Sequence, residues 1–292
     1  MNLVYYKEAN GNFGDDLNEW IWDYLIPGWR KWDKNTTLLG IGTLINRRRL
    51  EALCQKKVLI LGSGTGYGKI PDLPLPKTWD VRSVRGPRTA AQLNLTNDKA
   101  IIDPAVMVSD IAEFQSVQKT DTPIFIPHHF SIDRYNFISN CWQHACSRAG
   151  LKYISPRDNA KIVIKSIAAA PLVIAESMHA AIIADSFRVP WIPVQIYHGF
   201  NLFKWTDWAA SLKMDLDIPM LFPILGNANK APVIPRVERY QRYLIRILEA
   251  PRVSRQLKKV SEMRQQLSDT LVLEERKRQY RVVLDQVIVD YG

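Results

Sequence analysis

Leu172-Val-Ile-Ala-Glu-Ser-Met-His-Ala-Ala-Ile-Ile-Ala-Asp-Ser-Phe-Arg-Val-Pro-Trp-Ile-Pro-Val194 reads as strand, helix and strand in one short span. Leu172 to Ala175 is a brief apolar run. From Ser177 small and branched residues follow a helical pattern to Arg188, and Val189-Pro190 stops it. Trp191 to Val194 resumes as a strand, so the unit is βαβ and its strands are parallel. The span sets Glu176, Ser177 and His179 where the first strand meets the helix. Ligands of open α/β sheets bind outside the carboxyl ends of strands, where free N–H groups and the helix dipole favour anions. A histidine there can carry a proton to or from a bound acid. The plainer alternative is that Ser177 caps the helix and His179 packs beside it.

The pattern repeats outward. Leu3 to Tyr6, Thr37 to Ile41, Lys57 to Leu61, Val81 to Val84 and Ala100 to Ile102 are strand candidates, each followed by a turn or helix. Asp15 or Asp16 is expected to cap a helix in which Leu17, Trp20, Ile21, Tyr24 and Leu25 recur at helical spacing until Pro27-Gly28. Composition turns polar around Lys119-Thr-Asp-Thr-Pro123, and a second set begins at Ile124-Phe-Ile126: a helix across Ile132 to Ala149, a strand near Tyr153, a helix after Asp158 and the opening βαβ unit. The expected fold is α/β: two Rossmann-like domains over residues 1–120 and 121–230, facing across a cleft in a GT-B-like arrangement, with a basic helical tail at 231–292.

Other stretches carry chemistry at predicted strand ends. Gly62-Ser-Gly-Thr-Gly-Tyr-Gly68 follows a strand, so its backbone, at Gly64 for instance, could approach a phosphate. Its spacing is neither the dinucleotide fingerprint nor a P-loop, and the alternative is a turn whose glycines take positive φ. Arg85 and Arg88 flank Gly86-Pro87, and two guanidinium groups there suit bidentate binding of phosphate or carboxylate. Pro127-His128-His129 ends the first strand of the second domain. Adjacent histidines on extended backbone point to opposite sides, so no metal site is expected. Trp191, Tyr197, Phe200, Phe203, Trp205 and Trp208 suggest either a sugar-stacking platform or core packing.

The Glu-Ser-Met-His block resembles the signature of the polysaccharide pyruvyl transferases, especially the bacterial exopolysaccharide branch. Gly11-Asn-Phe-Gly-Asp-Asp-Leu-Asn18, Ser83-Val-Arg-Gly-Pro-Arg-Thr89, Asp103-Pro-Ala105 and Lys204-Trp-Thr-Asp-Trp208 resemble the same family, over roughly residues 3 to 210. The resemblance implies transfer of the enolpyruvyl group of phosphoenolpyruvate onto a saccharide or lipid-linked oligosaccharide, usually as a cyclic ketal, with release of phosphate and no cofactor. It implies His179 as the acid, with Glu176 or an N-terminal aspartate such as Asp16 as the base. Arg85 and Arg88 become the anion clamp, with Ser177, Met178 and Gly64 at the donor. Asp15, His128, His129 and Trp205 fall to the acceptor or the cleft. Many relatives carry Arg-Leu-His where this chain has Ser177-Met178-His179, which leaves open which residue holds the donor's acidic groups. A GT-B glycosyltransferase using a nucleotide sugar and a non-catalytic polysaccharide-binding protein are the alternatives.

Composition limits the partners. The 292 residues are 47% hydrophobic and 23% charged, an ordinary soluble balance for a chain long enough for two domains. No stretch reaches the roughly eighteen apolar residues of a membrane span, and Met1-Asn-Leu-Val-Tyr-Tyr-Lys lacks the order of a signal peptide, so a cytoplasmic location is expected. Cys54, Cys141 and Cys146 form no CxxC pair, which agrees with a reducing compartment. The net charge of +10 comes without zinc spacing, RNA-binding aromatic signature or base-reading helix pattern, so nucleic acid is not the expected partner. A phosphorylated donor accounts for it as well. Residues 236 to 292 hold thirteen Lys/Arg against eight Asp/Glu. They are either solvated helices packed back on the first domain or a basic surface for an anionic membrane leaflet.

Overall fold

The computed structural model describes residues 1–134, 139–196, 199–221 and 251–292. The chain makes two compact units, one of Met1–Ser116, Asn201–Leu216 and Ser268–Gly292, the other of Val117–Phe200 and Asp217–Leu267. Both are built on parallel sheets.

In the first unit β1 (Asn2–Leu3), β2 (Thr36–Leu39), β3 (Lys57–Leu61) and β4 (Trp79–Ser83) pair in chain order, all parallel. A further parallel bridge joins Val84 to Ala100, where a strand was expected. Every residue of β2 is buried, and in β3 every residue after Lys57. That is the continuous apolar reading of strands covered on both faces. The N-terminal helix is broken where one continuous helix was expected: α1 (Phe13–Asp16), a 3-10 turn over Leu17–Glu19, then α2 (Ile21–Leu25). Trp20, at φ −138°, interrupts it, and the buried face is Phe13, Leu17, Ile21 and Trp22, leaving Tyr24 exposed. Asn12 is the N-cap, so Asp15 and Asp16 lie inside the first turn. α3 (Arg47–Leu53) is capped by the Asn46 side chain, which accepts the N–H of Arg49 at 3.0 Å. α4 (Pro87–Gln92) opens on proline, whose missing N–H costs nothing at that position.

In the second unit β5 (Ile124–Ile126), β6 (Lys152–Tyr153), β7 (Val173–Ala175) and β8 (Trp191–Pro193) form a parallel sheet in the order β6-β5-β7-β8. Its helices are α5 (His129–Arg134), α6 (Ser139–Arg148), α7 (Ala160–Ala169) and α8 (Met178–Ser186). All of α8 is buried. Its alanines let it lie close against β7 and β8, so it has no polar face to show. The core joins Phe125, Trp142, Ile174 and Ile192 to Val253 and Leu257.

α9 (Leu202–Ser211) belongs to the first unit. α10, described over residues 251–261, belongs to the second, and α11 (Thr270–Tyr291) to the first. The expected boundaries at 120 and 230 therefore need correction. Residues 201–216 leave the second domain, and the tail is no separate domain. The reason is burial. Leu273, Lys277, Tyr280, Leu284 and Val287 form the inward stripe of α11, Lys277 pairs with Asp110, and Tyr291 stacks on Trp32 at 6.4 Å. α11 itself carries four basic and four acidic residues, so the tail's positive excess lies upstream of it. Residues 231–250 of the tail, Tyr197 and the Cys141 side chain lie outside the described residues. Cys146 is buried in the core. Among the described residues no helix is long and apolar enough to cross a membrane.

Candidate functional site

Each unit brings its candidate residues to the carboxyl edge of its own sheet.

In the second unit Glu176 follows β7 directly and is buried. Its Oε2 accepts the N–H of His128, just past β5, at 2.8 Å, and its Oε1 accepts the N–H of Ile196, past β8, at 3.0 Å. One carboxylate thus ties three strand ends. Ser177 is the N-cap of α8, but its hydroxyl makes no capping bond, so the first-turn N–H groups are not covered by it. Met178 is buried in the core and His179, on the first turn, is 9% exposed.

His128 and His129 do not diverge as expected. Their ring centroids are 4.4 Å apart. The backbone leaves the extended form at once, since α5 begins at His129 and the carbonyl of His128 accepts the N–H of Ser131 at 2.9 Å, so strand alternation does not apply. His129 is buried edge-on to Phe130, and Nδ1 of His128 accepts the N–H of Phe130 at 3.3 Å. Among the described residues no group of three or more His, Cys, Asp or Glu side chains is arranged to hold a metal ion.

In the first unit Asn12 divides the acidic pair. Its backbone N–H donates to Oδ2 of Asp16 at 3.1 Å, and its side-chain amide donates to Oδ2 of Asp15 at 2.5 Å. Asp16 thereby steadies the helix start, and burial raises its carboxyl above the usual range. Asp15 is pushed up to about 7. Burial is the main cause, opposed by Lys204 and the Asn12 bond, with Asp16 and Asp103 adding to the rise. Asp103 is completely buried and pushed up to about 6, again by burial first, although its Oδ1 accepts the N–H of Ala105 at 3.0 Å and Arg85 and Lys204 pull the other way.

Arg85 is also completely buried. It donates to Asp207 Oδ2 at 3.0 Å, to Thr43 Oγ1 at 2.8 Å and to the carbonyl of Thr65 at 2.7 Å. A Cβ at Gly64 would collide with this guanidinium, and one at Gly86 with Asp207, so these glycines serve close approach inside the fold. Gly62, Gly66 and Gly68 take positive φ, as a turn of that composition would. Arg88 is exposed, lies 4.9 Å above the Phe203 ring and donates to Thr206. Trp205 and Trp208 are completely buried and meet edge to face, so they pack the core and present no face to a sugar. Trp191 is likewise buried, with its indole N–H on Asp185 at 2.8 Å.

Sequence reasoning assigned no role to Lys204, Asp103 or Asp207. All three stand in stretches already singled out, Asp103-Pro-Ala105 and Lys204-Trp-Thr-Asp-Trp208, but nothing in their spacing places α9 against the β3 and β4 ends.

In the second unit the first turn of α8 carries His179 just beyond the carboxyl end of β7, where open α/β sheets place their ligands. The polysaccharide pyruvyl transferase family model matches residues 4–196, and the chain belongs to that family of enzymes. It is also similar to the succinoglycan biosynthesis protein ExoV of Rhizobium meliloti (strain 1021), with 41% identity over an alignment that covers 100% of both chains.

Proposed function

We propose that the protein transfers pyruvate from phosphoenolpyruvate onto a pair of saccharide hydroxyls as a ketal, in the assembly of an exopolysaccharide or another cell-surface glycan. The observation that carries this reading is His179 on the first turn of α8, immediately beyond β7, in a chain of this family. The similarity to ExoV supports the pathway assignment.

The atoms balance without a further reactant. Two sugar oxygens each bond to the donor's C2 and lose their protons, one proton is balanced by the proton gained at the methylene carbon, and the other leaves with the phosphate as the bridging C–O bond breaks. His179 supplies the proton to carbon. The N–H groups opening α8, with the Ser177 hydroxyl, hold donor anion, and Arg88 is the exposed guanidinium of the first unit's Arg-Gly-Pro-Arg stretch. Arg85 serves by fixing the β4 end. Of the bases the sequence left open, Asp15 suits the task better than Glu176, because both Glu176 oxygens already accept backbone N–H groups, whereas Asp15 titrates near neutrality. The GT-B-like reading of the two Rossmann-like units, the cytoplasmic location and an approach of the basic α10 face to an anionic leaflet belong to the same proposal.

The test is phosphate release from phosphoenolpyruvate with a saccharide present, together with the acceptor's mass. Release coupled to a gain of one pyruvate less one water supports the reading. Thermal stabilisation by nucleotide sugars, and none by phosphoenolpyruvate, would replace it with glycosyl transfer.

A further inference from the structure

Asp15, Tyr67 and Asp103 stand on three connections at the carboxyl edge of the first unit's sheet, after β1, after β3 and after the Val84–Ala100 bridge. Lys204 joins them from α9, with its Nζ 5.5 Å from the centre of the Tyr67 ring and its charge felt by both Asp15 and Asp103. Tyr6, beyond β1, lies within the electrostatic reach of Asp15 and Tyr67. The rings of Tyr6 and Tyr67 are 44% and 39% exposed.

Two features set this group apart from an ordinary wet surface. Lys204 is only 9% exposed, yet its Nζ donates no hydrogen bond to any described residue. Oδ2 of Asp103 is buried and accepts none among the described residues. Buried polar groups are normally paired, so an ammonium on a largely buried lysine, with the Tyr67 ring as its neighbour and no hydrogen bond to a described residue, is placed to bond a polar ligand, whereas the sealed Asp103 oxygen contributes charge alone. The group's charge selects the class. Two carboxylates outweigh one ammonium, which disfavours phosphate or carboxylate, and the ammonium among the carboxylates disfavours a metal ion. A neutral polyol fits: its hydroxyls donate to Asp15 and accept from Lys204, while its apolar C–H face lies on an exposed tyrosine.

We propose that Tyr6, Tyr67, Asp15 and Lys204 form the subsite that holds a pyranose of the acceptor saccharide. The word acceptor rests on the pyruvyl-transfer reading; the saccharide class rests on the side chains alone.

The test uses the full chain with methyl pyranosides of gluco, galacto and manno configuration, observed by saturation-transfer NMR. Phosphoenolpyruvate affinity is measured by calorimetry on the same preparations. Wild type should saturate ring C–H protons of at least one glycoside. Tyr67→Ala and Tyr6→Ala should weaken that binding about 3–10-fold, and Tyr67→Phe should retain it. Both rings are exposed, so melting temperature and donor affinity should hold in these variants. Equal binding in wild type and both alanine variants overturns the subsite, and so does the absence of signal from every glycoside with wild type. Saccharide binding that depends on the tyrosines in a protein that binds no phosphoenolpyruvate supports the subsite and removes the donor reading.

Discussion

Nε of Arg85 donates a 3.0 Å hydrogen bond to Oδ2 of Asp207, between side chains that are both completely buried and 122 positions apart in the chain. Asp207 also accepts the N–H and the hydroxyl of Thr89, at 2.9 and 2.6 Å. One carboxylate thus holds α9 to the start of α4, and with α9 comes Lys204. The pair is a fastening at the sheet edge rather than a surface clamp.

Arg85→Lys tests that relation. Lysine keeps the charge but cannot reach Asp207, Thr43 and the Thr65 carbonyl together, and a buried ion pair left without one partner's bonds loses about 3–5 kcal/mol. Denaturant unfolding should show a loss of that order with the m-value unchanged. A variant as stable as wild type would mean that Arg85 is not a fastening.

Asp15→Asn should reveal the acid–base cost of the first-unit site. The folded-state carboxyl titrates near 7 and the unfolded one near 3.8. Between those values the folded state binds more protons, so wild-type stability falls as pH rises through the window. Asparagine removes the titration, and the variant should gain on the order of 1–3 kcal/mol over wild type between pH 4 and pH 8. An equal stability difference at both pH values would show that Asp15 is not raised.

Glu176→Gln leaves one of the two N–H groups, of His128 or Ile196, facing an amide nitrogen. Leaving such a donor unsatisfied costs about 1–3 kcal/mol. The melting temperature should drop, while turnover per folded molecule stays close to wild type. Loss of turnover with the melting temperature unmoved would return Glu176 to the role of base.

His179→Gln should do the reverse. Glutamine keeps size and some hydrogen bonding but carries no proton, so turnover should fall by about 10²–10⁴-fold with donor binding kept. Phosphate release with acceptor saturating, read beside the melting temperature, decides it. Near-normal turnover in the folded variant would move the acid to His128 or His129.

α10 buries Val253, Leu257 and Val260 and exposes Arg252, Arg255, Lys258 and Lys259. If this face meets an anionic leaflet, sedimentation with anionic vesicles should fall as salt rises, and Arg255→Glu with Lys259→Glu should abolish it at low salt. Equal sedimentation with neutral and anionic vesicles would exclude the electrostatic contact.

The parallel sheets and the place of the signature were legible in local pattern alone. β3 falls at Lys57–Leu61 as read, and α8 starts directly after Ser177, because short apolar runs and Val-Pro stops are local and survive any packing. Local pattern also put His179 at a strand end. What it could not supply was depth. Arg85 and Arg88 stand three positions apart in the same motif, yet one is sealed in the core and the other exposed, because α9 returns to the first unit and buries Arg85 against Asp207 while Arg88 lies along its surface over Phe203. The same return buries Trp205 and draws Lys204 toward Asp15 and Asp103. Those are contacts between residues far apart in the chain, and no periodicity encodes them. Tertiary structure alone decided which carboxylate titrates near neutrality, because burial and neighbouring charge, not residue type, set the free energy of its ionised form.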